Sequence, residues 1–447
     1  MIRFLGGAMV FLLIISSYNL LLADELPAFP GAEGFGAIAI GGRGGKVIKV
    51  TNLKSSGPGS LQEACETEGH RIVVFEVGGV IHGDVAIRYP YITIAGQTAP
   101  SPGITVEGRL LARPRDGSRL HDIVVRFLRF RPLPTTGSSG DTVQLPKSER
   151  IILDHLSLSW ANDETIDIIH SSEVTVQWCA IEESDPTGHS KGVPHNFGIL
   201  SAYEGSGNIS LHHNLFAHHY RRCPSLSPQV PTKPGDFRNN LLYDCLGGLA
   251  HDGHTPKSGI NMIGNYYKKG PSSERLYPFG FINPGKYYVA GNYIEGIGEI
   301  GDPRDESVQF PRWIQYNRNG EKLTVPAEVA PIITHSAQEA YRLVLAYAGC
   351  RPQDRVSLRT IEEVKTLTGK WARNAPLKPS DEWYLEGLQH NKPPVDSDDD
   401  GMSDVWEDAN GCDKTDGSDY NKVMPSGYTA IEEYINERGE QLIGWAE

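Results

Sequence analysis

ISLHHNLF at residues 209–216, DFRNNLLY at 236–243, INMIGNYY at 260–267 and KYYVAGNY at 286–293 share one plan: a β-prone run, an asparagine, then two mostly large apolar residues. The asparagines are Asn214, Asn240, Asn265 and Asn292. Leu156 and Cys179 hold the same slot upstream, so that successive spacings are 23, 35, 26, 25 and 27 residues. A repeat of this period, with one enlarged loop, belongs to stacked units that each bury a face on the next. An asparagine side chain bonds turn backbone in the neighbouring unit, and the apolar residues fill a continuous interior. Short β-rich segments such as IVVFEV, IVVRFLRF and VTVQWCAI carry the pattern from residue 70 to 295, with few helical patterns between them. An antiparallel sandwich also has regular short strands. Its tight-turn signals, Asn-Gly or Asp-Gly between alternating strands, are scarce, so the reading is an all-β parallel β-helix.

The 447 residues carry a formal net charge of −13 with only 22% charged residues, enough chain for one large domain with appendages. The acidic balance argues against a nucleic-acid partner, which needs a basic face. An acidic protein acting on an anionic substrate needs cations as mediators. Residues 1–23, MIRFLGGAMVFLLIISSYNLLLA, read as a secretory signal with cleavage after Ala23; Gly6, Gly7 and the polar SSYN argue against a membrane anchor. The expected product is a secreted monomer with no membrane association. Six cysteines without a CxxC pair or zinc spacing permit disulfides but do not make a disulfide framework.

Residues 24–300 form the β-helical domain. Beyond them, SAQEAYRLVLAYAGC has Ser336 and Glu339 as a capping box and Gly349 as a stop, which places a helical flank over 301–388. A Pro-rich linker at 389–395 leads into a tail at 396–436. Its stretch DSDDDGMSDVWE sets Asp396, Asp398, Asp400, Asp404 and Glu407 at positions 1, 3, 5, 9 and 12 of an EF-hand-type loop, with Gly401 at 6 and the Met402 carbonyl at 7. Pro393 and Pro394 remove the entering helix, so the segment resembles the single calcium loops of dockerin-like or thrombospondin type 3 segments.

Three stretches in order carry a wider resemblance. AFPGAEGFGAIAIGGRGG with VTNLKSSGPGSLQEA, GDTVQLPKSERIILDHLSLSWANDETIDI, and SLHHNLFAHHYRRCP are similar to the capping, calcium-holding and catalytic segments of the pectate lyase family. The resemblance covers residues 28–300. It implies a right-handed parallel β-helix, a Ca²⁺ cofactor and β-elimination on polygalacturonate, an acidic polysaccharide. Asp141, Asp163 and Asp167 match the family's calcium ligands, and their hard oxygens suit that ion. Glu164 and Asp154 are spare candidates. Arg222, two residues before Pro224, matches the base that takes the C5 proton, and Arg221 is the next candidate. A hydroxide or histidine base, with Arg222 only stabilising the enolate, is the alternative. Lys191, in HSKGVPHNFGILSA, matches a residue that contacts substrate.

One position departs from the pattern: where family members often carry an arginine after that proline, this chain has Ser225. Carboxylate recognition then falls to Arg221, Arg238, Lys233 or Lys191. The histidines His212, His213, His218 and His219 read as structural, because adjacent strand residues face opposite sides and cannot converge on one ion. Competing functions are a pectin lyase on methylated substrate, a β-helical hydrolase, and a non-catalytic polysaccharide-binding protein.

Overall fold

The computed structural model describes residues 26–444 apart from 135 and 138; the expected signal at 1–23 lies outside the described residues. The chain winds into a parallel β-solenoid of about ten turns. One sheet has eleven strands, from Lys46–Val50 to Glu321–Lys322. A second has ten strands, from Gly79–His82 to Gly298–Ile300. A third has six strands and is continued by a three-stranded sheet, with a bridge between Ser225 and Ala250 joining them. The strands Ile314–Tyr316 and Glu321–Lys322 carry the solenoid past residue 300.

Coil stacks on coil in fixed register. Ile94, Val125, Leu153, Val176, Leu211, Phe237 and Met262 are successive Cα partners on the first sheet, and all are fully buried in the central core. Apolar residues at one height of every coil thus form a single column.

The asparagine slot explains how the register is held. Asn240 Oδ1 accepts from the Asn214 backbone N–H and side-chain amide at 3.0 Å each, while Asn240 Nδ2 donates to the Leu211 carbonyl at 2.9 Å. The same bonds recur from Asn240 to Asn265 and from Asn265 to Asn292. The residue before each slot takes a left-handed conformation, with φ of 52° at His155, 51° at Trp178, 54° at His213 and 53° at Asn239. This single residue turns the chain from the first sheet into the second, and asparagine and glycine tolerate it best. Its cost is offset by the buried amide ladder that follows.

Of the two apolar residues after each slot, only the second enters the interior. Phe216, Leu242 and Tyr267 are core residues, whereas Leu215, Leu241 and Tyr266 point outward. The outward residues are covered by Ala337 and Val344 of the helix Ala337–Tyr347, which Ser336 caps by accepting from Glu339 N at 3.2 Å. The helix Arg355–Thr366 is tied down by a fully buried ion network: Arg131 contacts Asp354 at 3.0 Å and Glu182 at 3.1 Å. The tail packs on the opposite side, where Met402, Trp406, Ile431 and Tyr434 cover Ile72 and Val74. Among the described residues no helix is long and apolar enough to cross a membrane, and all six cysteines are free.

Replacing Asn240 by Ala should cost about 3 kcal/mol of unfolding free energy, because it strips the Asn214 N–H and the Leu211 carbonyl of buried partners. Denaturant titration of the purified variant measures this; a loss below about 0.5 kcal/mol, the scale of an ordinary surface change, would show that the ladder is decorative.

Candidate active site

The third sheet sets the acidic and basic candidates side by side. Its strands Val143–Gln144, Glu164–Asp167, Phe197–Ser201 and Ser225–Leu226 are consecutive neighbours. Glu164 is the register partner of Phe197, and Phe197 that of Arg221. Residues more than 20 positions apart in sequence therefore stand one strand spacing apart, roughly 4.8 Å.

Asp141, Asp163 and Glu164 each bring a carboxylate oxygen within 4.8 Å of the others. Asp141 accepts from Glu164 N at 3.1 Å and from Gln144 Nε2 at 3.0 Å. Burial, then the charge of Asp163, pushes the Asp141 carboxyl up to about 7. Burial, then Asp141, pushes Asp167 up to about 8. Asp167 lies outside the three-oxygen group and accepts from Ile169 N at 3.2 Å. Crowded carboxylates that repel one another are what a bound cation relieves, and an all-oxygen donor set fits a hard divalent ion such as Ca²⁺. Glu164, a spare candidate in the sequence, is thus closer to the cluster's centre than Asp167. Asp154 is elsewhere, paired with Arg126 at 2.8 Å on the first sheet.

Arg222 faces this cluster. Its guanidinium contacts Glu164, its Nε is 3.0 Å from Asp252 Oδ2, and its head lies 4.3 Å from the centre of the Phe197 ring. Arg221 is more open, with 48% of its side chain exposed and Nη2 3.9 Å from Asp252 Oδ1. Asp252 carried no sequence signal beyond an Asp-Gly turn. Lys191 is exposed at the rim, its Nζ 3.5 Å from His195 Nε2. Its loop is attached to the acids through His189, whose Nε2 is 3.3 Å from Asp163 and whose ring stacks on His195.

Two expectations need correction. Arg238 is not at the groove: it belongs to the first sheet, where Asp236 takes its guanidinium at 2.6 and 2.8 Å and Thr334 accepts a third bond. His212 and His213 do converge, with their Nδ1 atoms 2.9 Å apart, because the left-handed turn at His213 swings its ring back; His335 Nδ1 then meets His213 Nε2 at 3.0 Å. His218 bonds Asp244 and Glu363, and His219 bonds Ser184 and the Ile181 carbonyl, so both have structural partners.

The tail holds a second acidic cluster. Asp396, Asp398 and Asp400 form one group, and Asp400, Glu407 and Asp419 another. Gly401 adopts φ +96° at the sharp turn, where Asp396 accepts from the backbone N–H of Asp399, Asp400 and Gly401. Glu407 is fully buried, and neither of its carboxylate oxygens has a hydrogen-bond partner. Burial, then Asp400, raises its carboxyl to about 8. Asp404 departs from expectation: its carboxylate is used by the Ser397 N–H at 2.8 Å and hydroxyl at 2.7 Å. Asp419, beyond the twelve-residue loop, takes the inward place.

The solenoid and its groove, acids on one side and paired arginines on the other, define a β-helical carbohydrate-active protein. No family model matches the chain. Proteins described as probable pectate lyase C from Aspergillus fumigatus and Aspergillus terreus are 37% and 35% identical over 424 and 430 residues. Each comparison covers 92% of this chain, and 93% and 94% of the respective relative. The chain belongs to the pectate lyase family and is a polysaccharide lyase. Among solved structures, a pectate lyase from Bacillus sp. N165 in complex with trigalacturonate aligns with 72% of this chain and 99% of its own, at 12% identity and a TM-score of 0.43. A pectate lyase structure described for its anti β-elimination mechanism aligns with 73% and 98%, at 13% identity and a TM-score of 0.49.

Proposed function

We propose that the protein is a secreted, calcium-dependent pectate lyase that cleaves polygalacturonate by β-elimination, exported by residues 1–23 and acting as a monomer. The observation that carries this reading is the convergence of Asp141, Asp163 and Glu164 opposite Arg222. These three acids, with Asp167 beside them, would hold calcium. When bound, the ion neutralises the uronate carboxylate next to C5 and so stabilises the negative charge that develops there.

The chain's own residues do the rest. Lys191 and Arg221, the most exposed cations of the groove, take substrate carboxylates. Glu164 contacts Arg222 and also belongs to the acid cluster, so it would serve as a ligand to the ion or as a partner of the arginine. Arg222, as the neutral guanidine left once its own proton has passed to solvent, receives the C5 proton and becomes guanidinium. The electron pair of that C–H bond becomes the C4–C5 double bond, and the C4–O bond breaks with its pair on the glycosidic oxygen, which takes a proton from solvent water. The product is a 4,5-unsaturated uronate, whose ultraviolet absorbance separates elimination from hydrolysis.

Excess chelator should abolish formation of the absorbing product from polygalacturonate, and added Ca²⁺ should restore it. Full turnover in chelator would remove the metal from the mechanism, and new reducing ends without the absorbance would indicate hydrolysis. Arg222→Lys should lower kcat about a thousandfold, the scale of losing a positioned proton acceptor. Near-normal turnover at an unchanged pH optimum would argue against a special arginine role.

The tail's calcium is a separate, structural proposal: Asp396, Asp398, Asp400, the Met402 carbonyl, Glu407 and Asp419 clasp one ion. Its support is the pair of unpartnered, fully buried oxygens on Glu407. Glu407→Gln should shrink the calcium-dependent rise in Tm, measured by calorimetry. An identical rise in variant and wild type would place the stabilising ion elsewhere.

A further inference from the structure

Arg222 is held from two sides, and only one of them belongs to the acid cluster. Its Nη1 contacts Glu164, while its Nε lies 3.0 Å from Asp252 Oδ2. The Phe197 ring lies 4.3 Å from the same head. Two acids and a ring leave a planar guanidinium little freedom to turn. The side chains of Arg222 and Asp252 are each only 16% exposed, which strengthens their charge pair over one in open water.

Asp252 comes from the next coil, where the backbone around it is tightly fixed. The strand Gly247–Leu249 stacks on the Arg222 segment: Cys223 N donates to the Gly248 carbonyl at 3.2 Å, Ala250 N to the Pro224 carbonyl at 2.9 Å, and Leu226 N to the Ala250 carbonyl at 3.1 Å. His251 is buried, with Nδ1 3.0 Å from Ser227 Oγ and Nε2 2.8 Å from Tyr287 Oη. Asp252 then stands at φ 42° and Gly253 at φ 86°, and His254 N closes the turn on the His251 carbonyl at 2.8 Å. A left-handed aspartate is sparsely populated and persists where its surroundings over-determine it. Here it accompanies a carboxylate set against the Nε side of Arg222. The other oxygen, Oδ1, is 3.9 Å from Nη2 of the more exposed Arg221, so Arg222 is the main partner.

We propose that Asp252 is a positioning residue of the elimination: it fixes the Nε side of Arg222 so that the outer nitrogens of the head face the C5 proton. The carboxylate forms and breaks no bond. The proton passes from C5 to Arg222, the electron pair it leaves enters the C4–C5 bond, and Asp252 stays ionised beside the guanidinium that results. Holding the acceptor from behind sets the distance and angle that proton transfer needs. This rests on the lyase reading above and adds to it a residue outside the three family-like stretches of the sequence.

The test is kinetic, on polygalacturonate at saturating Ca²⁺, read as ultraviolet-absorbing product. Asp252→Gly removes the carboxylate with a residue that suits positive φ. It should lower kcat about a hundredfold, the scale of misplacing a reacting group by an ångström, with KM within about twofold of the wild type. Asp252→Asn, which keeps an oxygen in the same place and tolerates the left-handed turn, should recover most of the loss. In an Arg222→Lys background, where no guanidinium is left to hold, Asp252→Gly should cost less than about threefold. Unchanged kcat in Asp252→Gly, a rise in KM alone, no recovery in Asp252→Asn, or the same loss in the Arg222→Lys background overturns the positioning role while leaving the lyase intact. Absence of unsaturated product from the wild type, or near-normal turnover in Arg222→Lys, overturns the lyase reading or its arginine base, and the role of Asp252 with it.

Discussion

The hydrogen bonds between successive asparagines set the height of each coil from Cys179 to Asn292 relative to the next, and the segment that carries Arg221 and Arg222 lies within that register. A buried side-chain amide that both accepts from the coil before and donates to its backbone leaves no freedom to slip by a residue. Once Asn214, Asn240, Asn265 and Asn292 are aligned, the third sheet follows. Glu164, Phe197 and Arg221, separated by whole coils in the chain, become neighbours in one column.

The column produces an electrostatic problem that the chemistry then uses. Carboxylates are brought together on a chain whose net charge is already negative, with partial burial to strengthen their repulsion. Arg222 answers part of it by pairing with Glu164 and Asp252. Glu164 thus belongs both to the acid cluster and to the partners of Arg222. The tail repeats the crowding away from the groove: Glu407 is a buried acid left without donors, and Asp400 beside it has one, the Met402 N–H.

Much of this was legible in the sequence because it is periodic or local. The asparagine slots marked the solenoid, and the spacing within DSDDDGMSDVWE marked Asp396, Asp398 and Asp400, whose carboxylates the tail brings together. What was illegible comes from contacts between segments with no shared period. Asp252 reaches Arg222 from a later coil, and Asp419 enters the tail cluster from outside its loop. Arg238, offered as a replacement for the arginine absent at Ser225, joins the first sheet and pairs with Asp236, a placement its residue type does not reveal. The rings of His212 and His213 meet, where strand alternation would part them, because His213 stands at a left-handed turn; both have hydrogen-bond partners, as a structural role requires. Both apolar residues after each asparagine looked like interior; half of them instead meet the helix Ala337–Tyr347.

The most direct measurement is a crystal structure of the protein with Ca²⁺ and a galacturonate oligomer in the groove. The account predicts an ion held by oxygens of Asp141, Asp163 and Glu164 at about 2.4 Å and shared with a uronate carboxylate, with Arg222 turned from Glu164 toward C5. An ion bound elsewhere in the groove, or Arg222 still locked to Glu164 with substrate in place, would contradict it.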